Sequence, residues 1–399
     1  MTALDQLATL QTPAGAAALA AAATVATGDP LAAATALRAR GVAPGLAAAA
    51  LTQARLRHRA VAKFGAVADR MFFTRTGLEQ ATRAAVADRR ATRLAAAGVS
   101  TLADLGCGIG ADTIAAARAG IRVSAVEADP LTAAVATANL AALGLAGTAT
   151  VECGRAEAAD LSGVDAVFCD PSRRRAGTGR RIFDPAGFAP PWDFVASLPD
   201  RIPRTVRKLA PGLDHALIPA GTEAEWVSVD GDLVEAALWS GPLAEVPRRA
   251  TLLRSGQQHE LTGRGDRTAP VGPVRRFLYD PDSAVVRAHL VAELAGRLAG
   301  NLVDPSIAYL FADAAVPTPY ARCLELVETL PFSLKRLRAS LRAAGVGRAE
   351  IMKRGSAVDP ERLRRDLRLA GAAAATVVLT RVAGAPTALI CRDAGPPAA

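Results

Sequence analysis

The stretch Ala103-Asp104-Leu105-Gly106-Cys107-Gly108-Ile109-Gly110 decides how the chain folds. An apolar run at 99–105 reads as a short strand, and residues 111–119 read as a helix. A glycine loop between the two lets the backbone turn sharply and come close to a ligand that any Cβ would displace. About seventeen residues beyond Gly110, Glu127 follows a second apolar run at 121–126. A carboxylate at that strand end can accept hydrogen bonds from both hydroxyls of a ribose.

Outward from the loop the pattern repeats. A helix is expected at 130–143, strands at 148–153 and 164–169, all joined by short connections. Such alternation builds βαβ units and a parallel sheet. Residues 216–219, 225–229 and 233–239 are candidates to complete it. Upstream, 1–98 reads as helices, with Leu, Val and Phe at three- and four-residue intervals and turns at Gly28-Asp29-Pro30 and Gly41-Val42-Ala43-Pro44. Downstream, the Pro-containing turn at 242–247 reads as a boundary. After it come a hairpin at 251–261, helices at 280–298 and 331–344, and a strand at 349–354. Asp359, Pro360 and Glu361 then open a helix as N-cap, first residue and first-turn acid. Residues 374–381 and 387–392 read as a final strand pair. The expected division is therefore 1–98, 99–245 and 246–399.

The loop alone fits any adenosine-bearing ligand, nicotinamide and flavin cofactors included. Its spacing is GxGxG rather than GxGxxG, and Asp104 precedes the first glycine. An acid there suits the cationic amino group of S-adenosylmethionine better than a pyrophosphate. Asp104, Gly106, Gly108, Gly110 and Glu127 are thus the candidate donor pocket. Ala156 is added from the turn Gly154-Arg155-Ala156-Glu157. Arg155 stands where an acid would ordinarily meet the adenine amine, which leaves that contact to Glu157 or to the backbone. Taken singly, Glu127 reads equally well as a solvated strand-end carboxylate.

A second motif follows the strand at 164–169: Cys169-Asp170-Pro171-Ser172-Arg173-Arg174-Arg175. Ligands of open α/β sheets bind at the carboxyl ends of the strands. Methyl transfer depends on holding a nucleophile in line with the methyl group. Asp170 and the Pro171 carbonyl can accept hydrogen bonds from an exocyclic amine and aim its lone pair, so Asp170, Pro171, Ser172 and Arg173 are the candidate catalytic set. Asp-Pro-Pro-aromatic loops of amino-methyltransferases work in this manner. Here Ser172-Arg173 replace the Pro-aromatic half, which removes a base-stacking ring. Cys169, alternating with Phe168 on a buried strand, reads as core rather than as a nucleophile.

Composition sets the outer bounds. In 399 residues the net charge is +9, and half the chain (51%) is hydrophobic while aromatics make up only 4%. Domains of about 100–200 residues allow two or three. The cysteines, Cys107, Cys153, Cys169, Cys323 and Cys391, are odd in number and lack a CxxC pair, so neither a disulfide framework nor a zinc site is expected. His58, His215, His259 and His289 have no metal-ligand spacing either. The Ala-rich start lacks a basic leader, and no run reaches the roughly 20 strongly apolar residues of a membrane span. A cytoplasmic protein without membrane or metal partners is expected. The positive charge suits a polyanion, though an ordinary basic protein fits it too.

Together the motifs resemble bacterial class I S-adenosylmethionine-dependent methyltransferases carrying a THUMP-like domain. The segments that carry the resemblance run from Arg59 to Phe64 and include Leu78-Glu79-Gln80-Ala81, Asp104 to Asp112, Asp170-Pro171-Ser172-Arg173-Arg174 and Lys208-Leu209-Ala210-Pro211-Gly212-Leu213-Asp214. Ile351-Met352-Lys353-Arg354-Gly355 and Asp359 to Arg364 extend it to the tail. It implies an α/β, Rossmann-like methyltransferase domain with a helical N-terminal region and a C-terminal α+β THUMP-like domain. It also implies S-adenosyl-L-methionine as cofactor and RNA, tRNA or rRNA, as partner, since THUMP domains accompany enzymes that modify transfer RNA. Independently, helical spacing puts Leu363, Leu367 and Ala370 on one face of the 360–370 helix and Arg362, Arg364, Arg365 and Arg368 on the other. With Lys353 and Arg354, Arg362 and Arg365 form a candidate phosphate footprint, to which Arg174 and Arg175 add a basic lip beside the transfer site. Solvated charges are the plainer reading of the same residues. Methylation of a base nitrogen of structured RNA is expected. A protein or small-molecule substrate, or a non-catalytic RNA-binding role, remains open at this point.

Overall fold

The computed structural model describes residues 2–171 and 189–394. Ser172, Arg173, Arg174 and Arg175 of the second motif, with Arg180 and Arg181, lie outside the described residues. The chain forms two units. One comprises Met1–Leu209 with Ala237–Ala244, and the other Ala210–Ala236 with Glu245–Ala399.

The first unit begins with helices α1 (Ala3–Leu10), α2 (Pro13–Ala23), α3 (Pro30–Ala39), α4 (Pro44–Phe64), α5 (Arg75–Gln80) and α6 (Ala84–Ala96). Their starts are written in the sequence. Thr2, Thr12 and Asp29 accept the backbone N–H of Asp5, Gly15 and Ala32, and proline opens α2, α3 and α4. Alanine does the packing. Ala22, Ala50 and Ala60 are wholly buried, and a Cβ on Gly15 would fall 2.2 Å from the Thr9 carbonyl oxygen. Close helix spacing of this kind needs side chains no larger than a methyl group.

The sheet of this unit follows: β1 (Thr101–Leu105), α7 (Ala111–Arg118), β2 (Arg122–Glu127), α8 (Pro130–Ala142), β3 (Ala149–Cys153), β4 (Ala166–Cys169), α9 (Trp192–Arg201) and β5 (Thr205–Leu209). The strands lie in the order β3-β2-β1-β4-β5, all parallel. Strand order reverses between β1 and β4, the switch point where open α/β sheets bind ligands. In register there, Leu105 sits beside Cys169. The glycine loop and the Asp170 motif therefore leave the sheet side by side.

The second unit takes up β6 (Glu223–Val229) and most of β7 (Asp232–Trp239), whose last residues belong to the first unit. Beside β6 lie β8 (Arg248–Arg254), parallel to it, and β9 (Gln257–Gly263), antiparallel to β8 around Ser255-Gly256. Then come β10 (Phe277–Pro281), α10 (Ser283–Arg287), α11 (Val291–Leu298), β11 (Asn301–Leu302), β12 (Leu310–Ala312), β13 (Ala321–Pro331), α12 (Leu334–Ala343), β14 (Val346–Lys353), α13 (Pro360–Leu367), β15 (Ala373–Val382) and β16 (Ala385–Asp393). A second sheet runs β11-β12-β10-β13-β16-β15-β14. On it, Leu337 and Leu341 of α12 and Leu363 and Leu367 of α13 pack with Val377 and Ile390.

Two local expectations fail. The helix at 280–298 is instead the end of β10 and two helices, because His289 adopts a left-handed φ of 59° between them. Residues 216–219 are not a strand: His215–Leu217 is a short 3₁₀ turn capped by Asp214. No helix among the described residues is long and apolar enough to cross a membrane.

Candidate active site

Backbone conformation builds the donor half of the site. Gly106, Gly108 and Gly110 have φ of 83°, 57° and 87°, angles that residues with a Cβ rarely adopt. A Cβ on Gly106 would stand 3.0 Å from the Asp170 carbonyl oxygen. The loop is pinned from below, since the N–H groups of Gly106 and Cys107 both donate to the Val126 carbonyl. Glu127 pins it from the side, accepting from the N–H of Gly108 at 3.0 Å and of Asp129 at 2.9 Å.

Asp104 ends inside the protein with no exposed surface. Thr113 of α7 donates to its Oδ2 at 2.5 Å, while Oδ1 is buried without a hydrogen-bond partner among the described residues. Burial, reinforced by the negative charge of Asp112, pushes its carboxyl up to about 8. A carboxylate kept short of one partner beside a glycine cradle fits a ligand that brings an ammonium group. Ala156 opens the turn Ala156–Ala158 and is buried with Val126 and Leu161. Arg155 points outward and pairs with Glu157 at 2.7 Å, which holds the Glu157 carboxyl below its ordinary range.

Side chains build the other half. Asp170 follows β4, and its Oδ2 accepts from Lys208 Nζ of β5 at 2.5 Å. The ammonium also donates to the Thr82 hydroxyl at 3.0 Å. Thr82 donates in turn to Asp112 Oδ2 at 2.6 Å, and Arg90 binds the other oxygen of Asp112. Arg90 is itself buried, with its guanidinium 4.5 Å over the Phe168 ring. Nearby, Lys63 of α4 donates to the carbonyls of Leu78, Glu79 and Ala81, and burial beside Lys208 and Arg83 brings its ammonium down to about 8. Pro171 is buried, and Cys169 has no exposed surface. Burial pushes the Cys169 thiol well above its ordinary range, which makes it core and no nucleophile.

The N-terminal helices grip the donor loop as well. Asn139 of α8, fully buried, accepts from the Phe72 N–H and donates to the carbonyls of Phe72 and Ile109. Gly77 of α5 sits so close to the loop that a Cβ would fall 2.4 Å from the Ile109 side chain.

Three comparisons bear on this arrangement. Two sequences from Mycobacterium tuberculosis strains, the uncharacterized S-adenosylmethionine-dependent methyltransferases Rv3037c and MT3122, are each 38% identical to this chain over 354 residues. The match spans 84% of this chain and 94% of each relative. This chain belongs to the S-adenosylmethionine-dependent methyltransferases. Its cofactor is S-adenosylmethionine. A Porphyromonas gingivalis W83 protein, known from a crystal structure and described as a methyltransferase, has the same fold. It covers 95% of this chain and 98% of its own at a TM-score of 0.72 and 21% identity. The THUMP domain-like family matches residues 321–393 of the methyltransferase, from β13 to β16, and a domain of unknown function matches residues 3–60.

The footprint residues expected in the tail of the methyltransferase divide. Arg362 and Arg365 of α13 are exposed; Arg362 lies 3.8 Å from Asp366. Lys353 is exposed and reaches the Val358 carbonyl. Arg354 turns inward, donating to Asp280 at 2.9 Å and to the Pro281 carbonyl, with its guanidinium 5.4 Å over the Tyr309 ring. Sequence reasoning misses Thr82 and Arg90 as site residues, and Lys63, Asp112 and Lys208 enter it only within family segments. No spacing rule links residues so far apart in sequence.

Proposed function

We propose that this methyltransferase modifies RNA, at a base nitrogen of a structured RNA such as tRNA. The observation that carries the reading is the THUMP domain-like match over residues 321–393, a segment whose helix α13 presents Arg362 and Arg365 to solvent. In this reading Arg362, Arg365 and Lys353 form the phosphate-binding face, and Arg174 and Arg175, outside the described residues, are further candidate RNA contacts. Arg354, committed to Asp280, is not part of that face.

In this reading Asp104, Gly106, Gly108, Gly110, Glu127 and Ala156 hold the donor. Asp104 Oδ1 meets its ammonium, Glu127 its ribose, and Ala156 its base. Bound S-adenosylmethionine supplies an electrophilic methyl group on a sulfonium. The chain supplies position: Asp170 and the Pro171 carbonyl accept from the N–H of the acceptor, and Ser172 and Arg173, outside the described residues, remain the other candidate catalytic positions. In-line placement provides most of the rate such a transfer needs.

Incubating the protein with tritiated S-adenosylmethionine and separate RNA, protein and small-molecule pools, from cells lacking the gene, tests the substrate class. Label in RNA is expected, and nucleoside mass spectrometry then names the atom. Label confined to protein or small molecules would replace this reading.

A further inference from the structure

We propose that Lys208 is a positioning residue for methyl transfer, through which the N-terminal helical region sets the Asp170 carboxylate. The inference rests on Asp170 being the group that meets the acceptor.

The contacts form a circuit that begins on β4 and ends at Asp170, just beyond it. From Phe168 it passes to Arg90, which lies over that ring, then to Asp112, to the Thr82 hydroxyl, to Lys208, and back to Asp170. The direction of every hydrogen bond is fixed by chemistry. An ionised carboxylate only accepts, so Thr82 must give its proton to Asp112. Its oxygen is then left to accept from Lys208, which can only donate. The Lys208 amine is thereby held between two acceptors, with its side chain 13% exposed. Thr82 is held in turn by its own segment, whose carbonyls at Leu78, Glu79 and Ala81 converge on Lys63.

The consequence falls on Asp170. With Oδ2 engaged by Lys208, the carboxylate cannot rotate, and Oδ1 makes no hydrogen bond among the described residues. The Asp170 side chain is 32% exposed, so a bound acceptor can reach it. Because the ammonium balances the carboxylate's charge, the pair suits a neutral N–H donor rather than a cationic amine. That matches an unprotonated exocyclic or ring nitrogen of a base. The residues that fix it, 82, 90 and 112, lie outside the Asp-Pro motif, so the N-terminal region is part of the transfer site.

The test uses the full chain and whichever acceptor pool the wild type labels. This keeps it separate from the RNA reading, which falls alone if the label appears in protein or small molecules. Lys208→Met should lower kcat on the order of a hundredfold, the scale of a misplaced reacting group. Donor affinity by calorimetry should stay within threefold. Lys208→Arg should restore part of the rate. Thr82→Val should cost about tenfold, the scale of one lost hydrogen bond, while Thr82→Ser stays near wild type. Adding Thr82→Val to Lys208→Met should cost nothing further, as members of one unit are non-additive. The proposal is overturned if Lys208→Met turns over within twofold of wild type. It is equally overturned if Thr82→Val and Thr82→Ser fall alike, or if the rate lost in Lys208→Met is matched by lost donor binding.

Discussion

The two halves of the candidate active site leave the same sheet side by side, after Leu105 and Cys169, and are built in opposite ways. The donor half is backbone: three glycines at alternate positions, all at positive φ, held by main-chain bonds to Val126 and by Glu127. The acceptor half is side chains: Asp170, Lys208, Thr82, Asp112 and Arg90, gathered from five separate segments. A backbone cradle is encoded by its own few residues, whereas a side-chain circuit exists only after the whole unit has packed. The halves should therefore fail differently when broken.

The largest contrast is between their two aspartates. Asp104→Ala removes the unpartnered acceptor beneath the donor's ammonium and should abolish binding of S-adenosylmethionine by calorimetry. Asp170→Ala should leave that binding within a few-fold while methyl transfer drops on the order of a hundredfold or more. Equal loss of donor binding in both variants would erase the division into halves.

Asn139→Ala attacks the point at which the N-terminal helices hold the donor loop. It strands the buried N–H and carbonyl of Phe72 and leaves the Ile109 carbonyl without its amide donor. At about 1–3 kcal/mol for each unsatisfied buried group, partly relieved by entering water, a loss of about 3 kcal/mol in urea unfolding is expected. Asn139→Asp should be no better, because a carboxylate cannot donate to either carbonyl.

Proton linkage sharpens the donor side. Burial raises the Asp104 carboxyl from its ordinary value to about 8, so the free protein keeps it protonated at neutral pH. Stability from the neutral form is complete below pH 4 and is lost as pH rises through 8. Donor binding has the opposite sign, since the ammonium favours the ionised carboxylate. Affinity should rise by up to about tenfold per unit between pH 6 and 8, with release of one proton. The binding enthalpy at pH 7 should then depend on the ionisation heat of the buffer, and in Asp104→Asn this dependence should vanish.

What the sequence makes legible follows the same division. Gly106, Gly108 and Gly110 are readable because positive φ is a local demand that glycine meets, and β1 to β4 because apolar strands alternate with helices over short connections, whereas β5, interrupted by Arg207 and Lys208, is not read from the pattern. The helix around Pro360 is readable from Asp359, which caps the Arg362 N–H. The second sheet is harder. β13 alternates at Leu324-Glu325-Leu326, but a bulge between Leu326 and Glu328 breaks the period and leaves Val327 61% exposed, so the pattern there does not read as a strand. Residues 280–298 have a helical composition, yet His289 interrupts them for reasons of packing that no pattern records. Lys208 is legible only as part of a segment that carries the family resemblance. Its meaning comes from Thr82, 126 residues earlier.

The smallest effects are expected on α13, where the contrast between inward-turned and solvent-exposed side chains can be measured. Arg362 and Arg365 face solvent, and replacing both with Gln should weaken RNA binding only a few-fold at moderate salt. The slope of log affinity against log salt should fall by about two, one for each phosphate left without its arginine. Arg354 carries the same charge a few residues away but spends it on Asp280, a carboxyl already raised by burial. Arg354→Gln should therefore leave the salt slope unchanged and lower the thermal midpoint, since a half-buried carboxylate loses its partner. If Arg354→Gln moved the slope and the double variant did not, the phosphate face would lie on the Lys353–Arg354 turn, and α13 would be an ordinary solvated helix.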